Sequence, residues 1–210
     1  MSKRIIIFGT SITWGAWDPE GGGWVNRLRK YIELGIENEK IKDEIIVYNL
    51  GIDGDNSDKI VKRFEGEYKN RTIYEAEDFI IFDMGTNDAS YRESLQSNEV
   101  PLKKYKENIL QLIKKAKHYT NNIIFIGITN IDDTKTNPIP WNKDAYYKNK
   151  NIKDYNLALK DLSKNNDVKF IDMADLITKE DLEDGLHPNA GGHEKIFQKV
   201  KDFLIENKII

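Results

Sequence analysis

Phe8-Gly9-Thr10-Ser11-Ile12-Thr13-Trp14-Gly15 stands directly after a short apolar run. A glycine at a strand end permits a tight turn, and a serine two places later projects its hydroxyl toward solvent. Alone, the octapeptide reads as a phosphate-cradling or structural turn. A Walker loop would need Gly-Lys-Ser/Thr next, and the elbow Gly-x-Ser-x-Gly would need glycine where Thr13 stands. Near the other end, Asp184-Gly185-Leu186-His187-Pro188-Asn189 sets an acid three residues before a histidine. If Gly185 turns the chain, the Asp184 carboxylate can accept the imidazole N–H, while Pro188 and Asn189 mark the start of a last helix. Taken singly, Asp-x-x-His is a weak motif. Asn49-Leu50-Gly51-Ile52-Asp53-Gly54 and Gly85-Thr86-Asn87-Asp88 close two further apolar runs. On neighbouring strands, Ser11, Gly51 and Asn87 would converge on one edge, supplying a hydroxyl, an unobstructed backbone N–H and an amide donor. That set has the makings of a nucleophile with an oxyanion hole.

The elements that must position these groups follow from hydrophobic patterning. Continuous β-branched runs at 4–8, 44–49, 78–82, 123–128 and 168–171 predict buried strands. Segments of helical spacing lie between or after them, at 24–36, 57–67, 102–118, 145–165 and 190–204. Strand and helix alternating on this scale imply a parallel sheet covered on both sides. The expectation is an α/β protein, a three-layer α/β/α sandwich whose five-stranded parallel sheet runs in the flavodoxin-like order 2-1-3-4-5. Residues 1–210 are read as one domain. Irregular stretches at 18–23 and 129–143 both follow strand C-termini, where open α/β sheets place ligands.

In this order the four motifs resemble the SGNH/GDSL hydrolases, a family of serine esterases and lipases named for Ser, Gly, Asn and His blocks. Gly9-Thr10-Ser11-Ile12-Thr13-x-Gly15 is similar to the first block, Gly51 to the second, Gly85-Thr86-Asn87-Asp88 to the third and Asp184-x-x-His187-Pro188 to the last. Thr10 departs from the family's aspartate, at a position that is not a catalytic group. The resemblance implies that Ser11 attacks an acyl carbonyl after His187 takes its proton, with Asp184 orienting the imidazole. It implies an oxyanion hole from the N–H groups of Ser11 and Gly51 and the Asn87 amide. The implied activity is hydrolysis of a small acetyl or short-chain acyl ester through an acyl-enzyme. A carbohydrate O-deacetylase, a lysophospholipase and a thioesterase are alternatives within the family. A non-catalytic flavodoxin-like module binding FMN or phosphate is the alternative from another class.

The remaining residues narrow the chemistry. Zero cysteine excludes disulfides, thiolate metal sites and a cysteine nucleophile. Of three histidines, His118 ends a lysine-rich helix and reads as structural. His193 lies in the early turns of the last helix and reads as a decoy, so His187 is the expected base. Asp53-Gly54-Asp55-Asn56-Ser57-Asp58 begins like a calcium loop but lacks glycine at Asp58 and glutamate at Phe64. These residues are expected to cap the next helix, and neither metal nor cofactor is expected. Trp14, Trp17 and Trp141 are candidates for a substrate pocket, with core packing as the alternative, and Tyr146 and Tyr147 for its far wall. Asp83 is an acid at the end of an apolar strand with no assigned role. A net charge of −3 argues against nucleic acid, and no run approaches a membrane span. The expected partner is a small ester, and the expected location is the cytoplasm because the apolar run at 5–8 is too short for a signal sequence.

Overall fold

The computed structural model describes residues 2–72 and 74–210; Met1 and Ile73 lie outside it. Five strands form one parallel sheet: β1 (Ser2–Gly9), β2 (Glu44–Gly51), β3 (Glu77–Asp83), β6 (Ile123–Ile126) and β8 (Lys169–Ile171). Their order, β2-β1-β3-β6-β8, is the order 2-1-3-4-5 expected from the sequence. Alternate residues serve opposite layers, as strand geometry requires. Ile6, Phe8, Ile80, Phe82 and Phe125 pack under α3 (Ser57–Lys69), α4 (Leu102–Ala116) and α5 (Asn149–Asn165). Ile5, Ile7, Ile45, Phe79, Ile81 and Ile124 face α2 (Trp24–Glu37) and α6 (Ala190–Glu206). Both faces are thus dry, and each fully buried Ile or Phe contributes about 1.5–3 kcal/mol.

Register sets the site. Phe8, Phe82 and Phe125 lie side by side across three strands, with ring centroids 5.7 and 5.1 Å apart. The next row toward the carboxyl edge is Gly51, Gly9, Asp83 and Ile126. There the aromatic row gives way to glycine on β1 and β2 and to a carboxylate on β3, with Ile126 the one large apolar side chain in the row.

Two features depart from the sequence expectation. A one-turn helix, α1 (Ser11–Trp14), follows β1. A second, antiparallel sheet of two-residue strands is formed by β4 (Tyr91–Arg92), β5 (Ser97–Asn98) and β7 (Ala145–Tyr146), in the order β5-β4-β7. Ala145 and Tyr146, expected as the start of a helix, instead pair with β4, and the helix begins at Asn149. Two-residue strands carry no periodicity for sequence reading to find.

Candidate active site

Ser11 is the first residue of α1, and Gly15, with φ of 106°, ends that turn by donating its N–H to the Ser11 carbonyl. Two glycines let α1 sit directly on the sheet edge. A Cβ on Gly9 would come within 1.8 Å of Thr13 Oγ1, and one on Gly51 within 2.3 Å of the Trp14 nitrogen. The turn is tied on both sides: Asn49 Nδ2 donates to the Thr13 carbonyl at 2.9 Å and Thr13 Oγ1 donates to Asp83 Oδ2 at 2.7 Å. Asp83 therefore anchors the serine-bearing turn to β3. Burial pushes its carboxyl up to about 6, against the Thr13 hydroxyl's bond to the charged form.

The segment carrying His187 is a tight turn closed by Glu183 N–H on His187 O at 2.9 Å and a bridge between Leu182 and Pro188. Gly185 makes it possible with φ of 90° and is braced when Asp132 N–H donates to its carbonyl at 2.8 Å. Asp184 Oδ1 accepts the N–H groups of Leu186 and His187, while Oδ2 faces His187 Nδ1 at 2.7 Å. Burial favours the neutral carboxyl, but the bonds from the His187 ring and backbone outweigh it and hold Asp184 below the usual carboxylate range. The other ring nitrogen, Nε2, lies 2.9 Å from Ser11 Oγ. A hydroxyl, an imidazole and a carboxylate so aligned can pass a proton from oxygen to nitrogen while the developing cation is stabilised.

Of the predicted oxyanion donors, two line the cavity at this edge. The Ser11 N–H opens a helix and has no intrahelical acceptor. Asn87, in the loop after β3, lines the same polar cavity as Ser11 and His187. Gly51 does not. Its N–H is donated to Asn49 Oδ1 at 3.0 Å, and it is absent from the cavity wall. Its missing side chain leaves room for the close approach of α1. The glycine that lines the cavity is Gly54, three residues on, where φ of 68° turns the backbone. Its N–H has no acceptor among the described residues.

Two lobes meet at His187. A polar cavity of about 170 Å³ holds Ser11, Asp53, Gly54, Asn87, Arg92 and His187. An open aromatic cleft of about 450 Å³ is lined by Trp14, Trp17, Trp141, Asp184 and His187. These three tryptophans are 59, 57 and 54% exposed, so core packing is not their role. Trp141 stacks on the His187 ring at a centroid distance of 6.1 Å. Tyr147 is buried and its hydroxyl donates to Asn87 Oδ1 at 3.0 Å, whereas Tyr146 meets Tyr91 edge-on.

The other histidines have different settings. His118 is exposed beyond the end of α4, at the amino edge of the sheet. His193 is fully buried, with Nε2 donating to the Ala16 carbonyl at 2.9 Å and Nδ1 accepting the Trp24 N–H at 3.3 Å. In the acidic stretch after β2, Asn56 caps α3 by accepting Lys59 N–H, as expected, and Asp55 pairs with Arg63 at 2.7 Å, while Asp53 and Gly54 line the cavity. Arg63 also donates to the carbonyls of Gly9 and Leu50, bracing the ends of β1 and β2. That brace, Gly54 and the Tyr147 bond were not foreseen. The glycine pair within Gly51-Ile52-Asp53-Gly54 is the signal that could have located Gly54.

The chain is similar over 95% of its length to a lipolytic G-D-S-L family protein from Veillonella parvula, with a TM-score of 0.71, 22% identity and 97% of that chain covered. An acetylxylan esterase from Geobacillus stearothermophilus gives a TM-score of 0.71 at 19% identity, covering 97% of this chain and 93% of its own. Among curated sequences, the Bacillus subtilis protein YpmR, described as uncharacterized, is 25% identical over 214 residues, covering 93% of this chain and 79% of YpmR. A sequence model of GDSL-like lipases and acylhydrolases matches residues 5–200. With Ser11, Asn87 and His187 gathered on one edge of this fold, the chain belongs to the GDSL-like lipase/acylhydrolase family and is an ester hydrolase.

Proposed function

We propose that the protein hydrolyses small carboxylic esters by a serine acyl-enzyme route. Ser11 Oγ attacks the ester carbonyl as His187 Nε2 takes its proton. Asp184 holds the imidazole through Nδ1 and stabilises its cation. The oxyanion is received by the N–H groups of Ser11 and Gly54 and by Asn87 Nδ2, with Gly54 in place of Gly51. His187 then returns the proton to the leaving alcohol and later activates water to free the acid. The observation that carries this reading is the unbroken Ser11–His187–Asp184 line, at 2.9 and 2.7 Å, between two solvent-connected lobes. A fluorophosphonate probe is expected to label the protein once, at Ser11, as read by peptide mass spectrometry. Unchanged labelling of Ser11→Ala removes Ser11 as the nucleophile.

The aromatic cleft favours a carbohydrate alcohol as leaving group over a long acyl chain. The general acid must lie against the departing oxygen, and His187 forms the wall shared with Trp14, Trp17 and Trp141. Exposed aromatic faces suit the C–H face of a sugar ring through their electron-rich π surface. The oxyanion side is predominantly polar, with Asp53, Asn56, Arg92 and Glu99 around Ser11. Only Ile139, Trp141, Tyr147 and Leu186 form apolar lining there, in a cavity of about 170 Å³ that suits a short acyl group better than a fatty chain. Likeness to an acetylxylan esterase supports the same direction. Trp141→Ala is expected to raise KM for an acetylated xylo-oligosaccharide about tenfold and leave p-nitrophenyl acetate hydrolysis within about threefold, since a large interfacial aromatic is worth roughly 1–2 kcal/mol. Equal effects on both substrates reject the sugar platform.

A further inference from the structure

Asn87 presents a physical problem if its amide is to receive an oxyanion. A primary amide has a donor end and an acceptor end, and a half-turn about its last bond would aim the carbonyl oxygen at the developing negative charge. The surroundings of Asn87 forbid that rotation. Nδ2 donates to the Asp55 carbonyl at 2.8 Å, and a backbone carbonyl can only accept. Oδ1 accepts the Tyr147 hydroxyl at 3.0 Å. With one Nδ2 hydrogen on Asp55 and Oδ1 occupied by Tyr147, the second Nδ2 hydrogen is left for the cavity that Ser11 and His187 share.

We propose that Tyr147 is a positioning residue for the hydrolytic reaction: its buried hydroxyl locks the Asn87 amide with Nδ2 toward the oxyanion and polarises that N–H. The inference rests on Asn87 acting as an oxyanion donor. Burial pushes the Tyr147 phenol above its ordinary value, so it stays a donor across the neutral range. Polarisation adds to the locking, because a bond accepted at Oδ1 strengthens donation at Nδ2 of the same amide.

The arrangement also gives the small antiparallel sheet a purpose. Tyr147 lies 60 residues beyond Asn87 in the chain. Its backbone is pinned by Tyr147 N–H on the Thr136 carbonyl at 2.8 Å and by Thr136 Oγ1 donating to the Tyr147 carbonyl at 3.0 Å. The residue before it, Tyr146, pairs with Tyr91 of β4, which follows the Asn87 loop directly. Short strands thus bring a loop from after β6 back over the loop after β3 and hold one hydroxyl in register with one amide.

The test is a double-variant cycle on p-nitrophenyl acetate using Asn87→Ala, Tyr147→Phe and their combination. Loss of one neutral hydrogen bond predicts kcat lower by roughly three- to tenfold in Tyr147→Phe, with KM within about twofold. In the Asn87→Ala background the same change is expected to do nothing further, because the amide it acts on is gone. A merely structural tyrosine would slow both backgrounds alike, and that outcome overturns the proposal even if the variant is less stable. Normal kcat in Tyr147→Phe alone, beside a slow Asn87→Ala, overturns the positioning role and spares the oxyanion reading. Near-normal turnover of Asn87→Ala removes the oxyanion assignment and the inference together.

Discussion

His187 and His193 stand on either side of the start of α6, and their hydrogen-bond partners differ in kind. His187 faces a carboxylate on one nitrogen and a hydroxyl on the other, so its ring can gain a proton from Ser11 and be stabilised as a cation by Asp184. His193 faces a carbonyl on one nitrogen and a backbone N–H on the other, which admits a single neutral tautomer. Burial lowers its pKa, because the cation would be desolvated and would push against the Trp24 N–H. His193 joins α6 to Ala16 and Trp24 and so fastens the loop bearing Trp17. Residue type is the same in both, and the pair of partners decides whether the ring is set to exchange a proton or to hold backbone.

The comparison breaks at once if the two residues respond alike. His187→Ala is expected to lower kcat by about 10⁴-fold or more with the unfolding midpoint nearly unchanged, as for removal of a member of such a relay. Activity within tenfold of the wild type would undo the assignment of roles. His193→Gln should leave kcat within a few-fold and reduce stability by about 1–3 kcal/mol, the usual effect of disturbing buried hydrogen bonds, seen as a melting point several degrees lower. The sign of its pH dependence follows from the lowered pKa. The unfolded chain takes the proton first, so acidification through the ordinary histidine range costs the wild type stability, and His193→Gln lacks that loss. A variant whose acid sensitivity matches the wild type would mean that His193 is not held neutral.

Asp83 sharpens the contrast with the opposite sign. Its folded pKa, about 6, lies above the unfolded value, so the stability it contributes is present below the unfolded pKa of 3.8 and lost as pH rises through about 6. Asp83→Asn keeps an acceptor for Thr13 and removes the titration. Its stability relative to the wild type is expected to rise by at most about 1.4 kcal/mol per pH unit between pH 4 and 6 and to be flat above, measured by denaturant unfolding across pH. A difference that does not change with pH would refute the raised pKa.

Much of the site was legible because its signals are local. Gly185 beside Asp184 and His187 is a turn with its own chemistry, and that turn formed. Ser11 and Asn87 were found from their places after apolar runs. Gly51 and Gly54 were not separable by that means, since both follow the same strand. Gly51 is glycine because α1 presses on it and Gly54 lies where φ is positive, and neither fact is written in the tetrapeptide. Trp14, Trp17 and Trp141 were ambiguous between core and cleft for a related reason. An indole suits either place, and only the layers already filled by Phe8, Phe82 and Trp24 leave these three outside.

What the sequence alone determined is a parallel sheet covered on both faces and the strand-end turns that carry Ser11, Asn87 and His187; the strand order was an expectation that the structure bears out. Continuous apolar runs must be buried on both faces, and turn residues act within a few positions of themselves. Tertiary structure alone decided which glycine faces the cavity, where the small sheet forms and that the Tyr147 hydroxyl meets the Asn87 amide. Those outcomes depend on contacts between segments far apart in the chain, made by side chains whose identity is compatible with many neighbours until packing selects one.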